Sequence, residues 1–249
     1  MSLFIGIDVG TSGTKAVLLN QQGQVVATGS GSHAPSAPRS GWSEQAPDDW
    51  WPSTIEAINQ TCRTAGVAAD TIEGVGLTGQ MHGLVALDSS ATPIRPAILW
   101  NDGRSAPQCQ AVEARIGIER LVSLCGNRML PGFTAPKLLW MREHEPEAYA
   151  RITTVLLPKD WIRYRLSGEL VMDVSDASGT AVFDCANRTW SDELLANSIS
   201  HVPGGRTLLK VQRSSHRCMR RRPRRPDFGK ACRSWRVPAT KRRRRSGPA

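Results

Sequence analysis

Three short clusters in this 249-residue chain combine residue types that can do chemistry. The first is Asp8-Val9-Gly10-Thr11-Ser12-Gly13-Thr14-Lys15. A carboxylate at the end of an apolar run can hold Mg²⁺, directly or through water. Glycines behind it let the backbone bend sharply and present its N–H groups, a geometry that cradles phosphate. An ordinary hairpin turn uses the same residues, so this stretch alone leaves both readings open. The second cluster is Gly79-Gln80-Met81-His82-Gly83. Gln80 and His82 can hydrogen-bond a polyhydroxylated ligand, although a lone histidine between strands is as readily a structural residue. The third is Trp100-Asn101-Asp102-Gly103-Arg104. Asn101, Asp102 and Arg104 form a fork of donors and acceptors suited to sugar hydroxyls, or else a normal Asn-Asp-Gly turn.

The elements around these clusters can be read from their periodicity. Phe4, Ile5 and Ile7 make a buried strand that delivers Asp8, and the apolar run 16–19 follows too soon for a helix, so 10–14 is a hairpin turn. A third strand at 25–28 completes a β-meander. The Ser-, Pro- and Gly-rich stretch 30–47 reads as a long loop ending in Gly41-Trp42-Ser43-Glu44-Gln45. Asp48 or Asp49 then caps a helix whose apolar face holds Trp50, Trp51, Ile55, Ile58 and Cys62. Strands at 72–77 and 84–87 flank the second cluster, and an apolar strand precedes the third. Helices are expected at 106–116, 135–145 and 160–166, a strand at 155–157, and one more short helix from Ser191. Nothing in 106–200 advertises chemistry unaided. Strands and helices therefore share the chain, as they do in an α/β domain.

Bulk properties narrow the classes. A hydrophobic content of 40% suffices for a core, while no apolar stretch approaches the length of a membrane helix and the N-terminus has no signal-peptide pattern. Six cysteines (62, 109, 125, 185, 218 and 232) lack CxxC or Cys/His ligand spacing, which points to free thiols in a cytoplasmic protein. The net charge of +10 conceals a division. Residues 201–249 carry 17 Lys/Arg against the single acid Asp227, a local +16, so the first 200 residues hold −6. An acidic body at 1–200 and a basic tail at 201–249 are therefore separate expectations.

Taken together, Ile5-Gly-Ile-Asp8-Val-Gly10-Thr-Ser-Gly13-Thr-Lys15, Gly79-Gln-Met-His-Gly83 and Trp100-Asn-Asp-Gly-Arg104 resemble the FGGY carbohydrate kinases. Gly126-Asn-Arg-Met-Leu-Pro-Gly-Phe-Thr-Ala-Pro-Lys137-Leu-Leu-Trp140, Leu156-Leu-Pro-Lys-Asp160-Trp-Ile-Arg163 and Asp173-Val-Ser-Asp176-Ala-Ser-Gly179-Thr180 strengthen the likeness, which runs from about residue 3 to about 198. Within the family, the xylulokinase branch is the most similar. The first loop is shared by the wider actin-like ATPases, whereas Gln80-Met81-His82-Gly83 with Trp100-Asn101-Asp102 is far more specific. The resemblance implies an RNase H-like, actin-like ATPase domain, with sugar bound in the cleft between two such domains. It implies ATP and Mg²⁺ as cofactors and D-xylulose as the small-molecule partner, phosphorylated to D-xylulose 5-phosphate. Met81 and His82 would contact the ketose, with Gln80, Trp100, Asn101, Asp102 and Arg104 around it. Asp8 would shape the Mg²⁺ and phosphate environment, and Gly10, Thr11, Ser12, Gly13, Thr14 and Lys15 would face the ATP phosphates. A homodimer is the expectation for an intact member.

Past residue 200 the composition changes, with Arg220-Arg221-Arg222-Pro223-Arg224-Arg225-Pro226 and Lys241 to Arg245. The family would continue there into a second domain containing a Gly-Asp-Asn/Gln-Ala segment whose Asp is the catalytic base, and no such segment occurs. A nucleic-acid-binding arm making nonspecific phosphate contacts is one account of the tail, and a disordered solubilising tail is another. The third is out-of-frame translation of a GC-rich gene. With suitable codons, the stretch from Arg233 to Gly247 reads in another frame as Val-Val-Ala-Gly-Ala-Gly-Asp-Lys-Ala-Ala-Ala-Ala-Val-Gly, close to the family's Val-Val-Ala-Gly-Gly-Gly-Asp-Asn-Ala-Ala-Gly-Ala-Val-Gly. The expectation is a frameshifted, truncated kinase domain with little or no activity. A non-catalytic sugar-binding fragment and a nucleic-acid-binding protein are the alternatives.

Overall fold

The computed structural model describes residues 2–198 and the backbone of Val211–Gln212. The remainder of the basic stretch expected beyond residue 200 lies outside the described residues. Strand β1 (Leu3–Val9) buries Leu3, Ile5, Ile7 and Val9 and turns Asp8 outward, as the two-residue period of a strand requires. Strand β2 (Gly13–Asn20) runs antiparallel to β1, with Asp8 directly opposite Lys15.

Strand β3 (Val25–Ser32) is longer than its sequence suggests, because Gly29-Ser30-Gly31 reads as loop. The reason lies in the helix above it. Strand β4 (Glu44–Gln45) leads into helix α1 (Pro47–Ala65), which packs so closely on β3 that a Cβ on Gly29 would sit 2.4 Å from the Ala57 carbonyl oxygen. One on Gly31 would sit 2.2 Å from that of Ser53. These glycines admit a helix, not a bend. Helix α1 buries Trp50, Trp51, Ile55, Ile58 and Cys62 against the sheet. Its cap differs from expectation. Ala46 occupies the N-cap without a side-chain bond, Pro47 begins the helix, and Asp48 and Asp49 fall in the first turn, where they complement the helix dipole instead of capping.

Strand β5 (Ile72–Gly79) pairs in parallel with β1, giving a mixed sheet of order β3-β2-β1-β5. The ends of β1 and β5 therefore lie side by side, and both lead into polar loops. Strand β6 (Val85–Leu87) and strand β7 (Ala97–Ile98) follow, β7 pairing with β4. Their neighbourhoods are buried on both faces. Leu84, Ala86 and Ile98 enter one core while Val85, Leu87, Ala97 and Leu99 enter the other. These segments separate the sheet core from a helical core.

Helices α2 (Ala106–Ile116), α3 (Ile118–Cys125), α4 (Thr134–His144) and α5 (Pro146–Ala150) build the helical side. Helix α2 has its expected limits. Helix α3 was not anticipated, because Gly117 signals an ending while the chain resumes helix at once. Every residue from Thr134 to Met141 in α4 is buried, Lys137 among them. Strand β8 (Thr154–Leu156) pairs with β6, and helix α6 (Pro158–Ser167) follows. Strand β9 (Met172–Asp173) opens into helix α7 (Val174–Ser178), whose N-cap Asp173 accepts from the Ser175 and Asp176 amides. Strands β10 (Phe183–Asp184) and β11 (Thr189–Trp190) form a hairpin, helix α8 (Asp192–Ser198) follows, and strand β12 (Val211–Gln212) pairs in parallel with β9. Among the described residues, no helix is long and apolar enough to cross a membrane.

Candidate functional site

At the adjacent ends of β1 and β5 lies an open cleft of about 430 Å³. Asp8, Gly10 and Thr11 line one side, Gly79, Gln80, Met81 and His82 the other, and Trp100 lies across from them. The first two sequence clusters thus meet because β1 and β5 are parallel neighbours. Asp8 projects into solvent, being the outward residue of its strand. Gly10 N–H donates to the Gly13 carbonyl at 3.0 Å and closes the turn, so of the turn residues Thr11 and Ser12 are the ones left at its tip.

His82 has a positive φ of 67°. Gly83 N–H donates to the Met81 carbonyl at 2.8 Å, making a three-residue turn centred on the histidine. A non-glycine residue in this region costs on the order of 1–3 kcal/mol and persists only when its surroundings over-determine it. Here they do. The Thr134 hydroxyl and the Lys137 ammonium both donate to the His82 carbonyl, at 3.1 and 3.0 Å, and Lys137 also donates to the Gly132 carbonyl at 2.6 Å. His82 Nδ1 lies 2.9 Å from the Gly179 carbonyl oxygen and the ring packs 4.9 Å from that of Phe133. Because a carbonyl only accepts, Nδ1 carries the proton and the neutral ring is left with Nε2 as an acceptor. Burial is the first cause that pulls the His82 pKa below its ordinary value, with nearby Lys137 adding to it, so the ring stays neutral. Gly179 is required by this packing, since a Cβ there would fall 2.4 Å from His82 Nδ1.

Lys137 itself is fully buried, and desolvation pushes its pKa down to about 7, against the attraction of Asp102. Lys159 pairs with Asp173 and, at 2.8 Å, with Asp176, in the segment that supports Gly179. Asp160, Asp173 and Asp176 offer oxygens within 4.8 Å of one another. The Lys159 ammonium already supplies positive charge there, so this group is a compensated buried cluster. Burial raises Asp160 to about 7.

Several expected site residues lie elsewhere. Thr14 is fully buried and its hydroxyl meets Ser53 and Thr54 of α1, because β2 alternates and its outward neighbour is Lys15. Lys15 is exposed on the face of Asp8, Ser12 and Asn101 are exposed, and Gly13 begins β2. Asp102 and Arg104 are buried below the cleft and do not line it. Asp102 accepts from the Ser43 amide at 2.6 Å and from Arg104, whose guanidinium pairs with Glu44 at 2.7 Å and stacks 3.6 Å from the Trp42 ring centroid. Asp102 and Arg104, two of the three members of the fork proposed for sugar hydroxyls, are thus satisfied internally. Gln80 is also committed. Its amide donates to Gln45 Oε1 at 3.0 Å and accepts from Thr11 Oγ1 at 3.3 Å. Sequence reasoning gave no site role to Gln45, Thr134, Lys137 or Gly179. Only Lys137 left a signal, as a lone charge on an otherwise apolar helical stretch.

Comparison with known proteins decides the family. The model of the FGGY family of carbohydrate kinases, N-terminal domain, matches residues 3–224. The chain belongs to the FGGY family. Similar FGGY proteins include the xylulose kinase of Klebsiella pneumoniae, 50% identical over 194 residues, which are 78% of this chain and 39% of that protein. The xylulose kinase of Escherichia coli (strain K12) is 48% identical over 193 residues, again 78% of this chain and 39% of that protein. Among solved structures, a xylulose kinase ("xyloylose kinase") from Brucella ovis superposes with a TM-score of 0.78 at 39% identity, over 84% of this chain and 43% of that one. The α/β, actin-like ATPase fold implied by the sequence is therefore the fold of this FGGY chain. It spans about two-fifths of the length of the curated relatives it matches.

Proposed function

We propose that this chain is the sugar-binding portion of an ATP-dependent ketopentose kinase, whose complete form converts D-xylulose to D-xylulose 5-phosphate. The observation that carries the reading is the shared cleft, with a carboxylate and glycine turn facing a strained, over-determined histidine across about 430 Å³. The sugar-side wall suits a polyol. His82 Nε2 accepts from a hydroxyl, the Met81 thioether covers carbon, and the half-exposed Trp100 ring offers an apolar face. Thr11 and Ser12 at the turn's tip, with Lys15 beside Asp8, suit the phosphates of ATP. Asp8 fits Mg²⁺, being an exposed hard oxygen donor at the end of a strand, held directly or through water. When bound, the metal neutralises phosphate charge. What these residues themselves supply is positioning, which is the main part of catalysis in phosphoryl transfer.

The overall step moves the γ-phosphoryl of ATP to O5 of the ketose, with the hydroxyl proton taken by an Asp. The resemblance assigns that base to a Gly-Asp-Asn/Gln-Ala segment, which residues 1–249 do not contain. We therefore expect the 249-residue chain by itself to bind sugar without sustained turnover. Calorimetry with D-xylulose, glycerol and D-gluconate tests the first part, the expectation being preference for D-xylulose and its loss in His82→Ala. Equal or better binding of glycerol would sink the ketopentose reading. An ADP-release assay with D-xylulose tests the second, and normal turnover would refute it.

A further inference from the structure

We propose that Gln45 is a positioning residue that makes the phosphate-side turn and the sugar-side loop shift as one unit. The inference deepens the kinase reading and rests on it for what the two sides bind. Gln45 is 2% exposed and lies 34 residues from Thr11 and 35 from Gln80 in the chain.

The polarity of the network follows from donors that cannot reverse. The Trp50 indole N–H only donates, and it reaches one end of the Gln45 amide at 3.0 Å, so that end is Oε1. The other end, Nε2, then donates to the Thr11 carbonyl at 2.6 Å. Gln45 Oε1 also accepts from Gln80 Nε2 at 3.0 Å, which fixes the Gln80 amide in turn. Its second N–H points to the Gly10 carbonyl at 3.4 Å, and its Oε1 takes the Thr11 hydroxyl at 3.3 Å. Thr11 Oγ1 finally accepts from the Trp100 indole at 3.1 Å. Trp50 and Trp100 are donor-only ends of a single chain of bonds running under both sides of the cleft. His33 adds a brace, its Nε2 lying 2.9 Å from the Gly10 carbonyl oxygen and its Nδ1 2.7 Å from Ser53 Oγ. The donor-only ends leave this network, buried at Gln45 and Trp50 and open to solvent at Trp100, with one arrangement. Displacing the Gln80 backbone when a sugar binds must therefore move Thr11, and the reverse.

Gln45→Glu is the discriminating variant. It keeps an oxygen for Trp50 and Gln80 but replaces the N–H aimed at the Thr11 carbonyl with an acceptor. Indole proton exchange with water, measured by NMR on the full chain and assigned through Trp50→Phe and Trp100→Phe, reads both ends. The expected result is little change at Trp50 and about fivefold faster exchange at Trp100, the factor for one net hydrogen bond. Gln45→Met serves if Gln45→Glu fails to fold, with the same expectation at Trp100. Unchanged exchange at Trp100 in a folded variant overturns the proposal. Adding D-xylulose to the wild type should slow exchange at Trp100, and in Gln45→Glu it should not. If Gln45 controls Trp100 but no sugar binds, the kinase reading falls and the network stands. If sugar binds while Trp100 ignores Gln45, the network proposal falls alone.

Discussion

Substituting Lys137 by methionine keeps an apolar stem of similar length and removes the amine beneath His82. In the folded chain that amine is fully buried, donates to the Gly132 and His82 carbonyls, and is pushed down from 10.5 to about 7 by burial. In the unfolded chain it titrates normally. Between about pH 7 and 10.5 the unfolded state therefore holds a proton that the folded state lacks. Stability rises with pH wherever the unfolded state binds more protons, here by about 1 kcal/mol per pH unit. From pH 7 to pH 9 the wild type should gain about 2–3 kcal/mol that the Met variant does not. Asp160, raised to about 7 by burial, contributes with the opposite sign as pH rises, but it is present in both proteins and largely cancels in the difference. The variant also leaves the Gly132 carbonyl without this donor, at about 1–3 kcal/mol, offset at low pH because no charge is buried. Methionine should be nearly neutral at pH 7 and clearly destabilising at pH 9. Urea unfolding of both proteins at pH 7, 8 and 9 measures this. Parallel pH dependences, or a gap that narrows as pH rises, would refute the reasoning.

The other predictions concern the same walls and their support. Gly179→Ala places a Cβ 2.4 Å from His82 Nδ1 and should weaken D-xylulose binding by about tenfold, the factor for about 1.4 kcal/mol; calorimetry decides it. The His82 ring itself should not take up a proton between pH 8 and 6.5, the ordinary histidine value, because burial holds it neutral; an imidazole NMR titration midpoint above 6.5 would contradict that. Arg104→Met leaves the buried Asp102 without its cation, while Glu44 keeps Arg95, and should destabilise by about 3–5 kcal/mol in urea, whereas a change under 1 kcal/mol would mean that Asp102 is not truly buried. For the basic stretch, sequencing the gene tests the frameshift expectation, and nucleotides under 233–247 that cannot encode the alternative frame would end it. Salt-dependent DNA binding that disappears on deleting 201–249 would favour the nucleic-acid arm instead.

Much of the frame was legible locally. The apolar run of Phe4, Ile5 and Ile7 marked the strand that ends on Asp8, and the helix at Ala106–Ile116 announced both its ends. The three polar clusters were recognisable because each interrupts an apolar run with glycines. These features depend on residues within a turn or a strand of one another, and backbone sterics and burial periodicity act over that range. The tertiary structure decided what each polar group faces. Gly29 and Gly31 looked like loop until α1 lay on them. Asp102 and Arg104 looked like a sugar fork until Trp42, Ser43 and Glu44 satisfied them from 59 or so residues away. His82 is shaped by Lys137 and Gly179, 55 and 97 residues distant, and Gln80 by Gln45 and Thr11, 35 and 69 distant. A side chain's type and strand position can be read from its neighbours in sequence. Whether it is free to bind depends on which remote donors and acceptors already satisfy it, and only the folded chain brings those together.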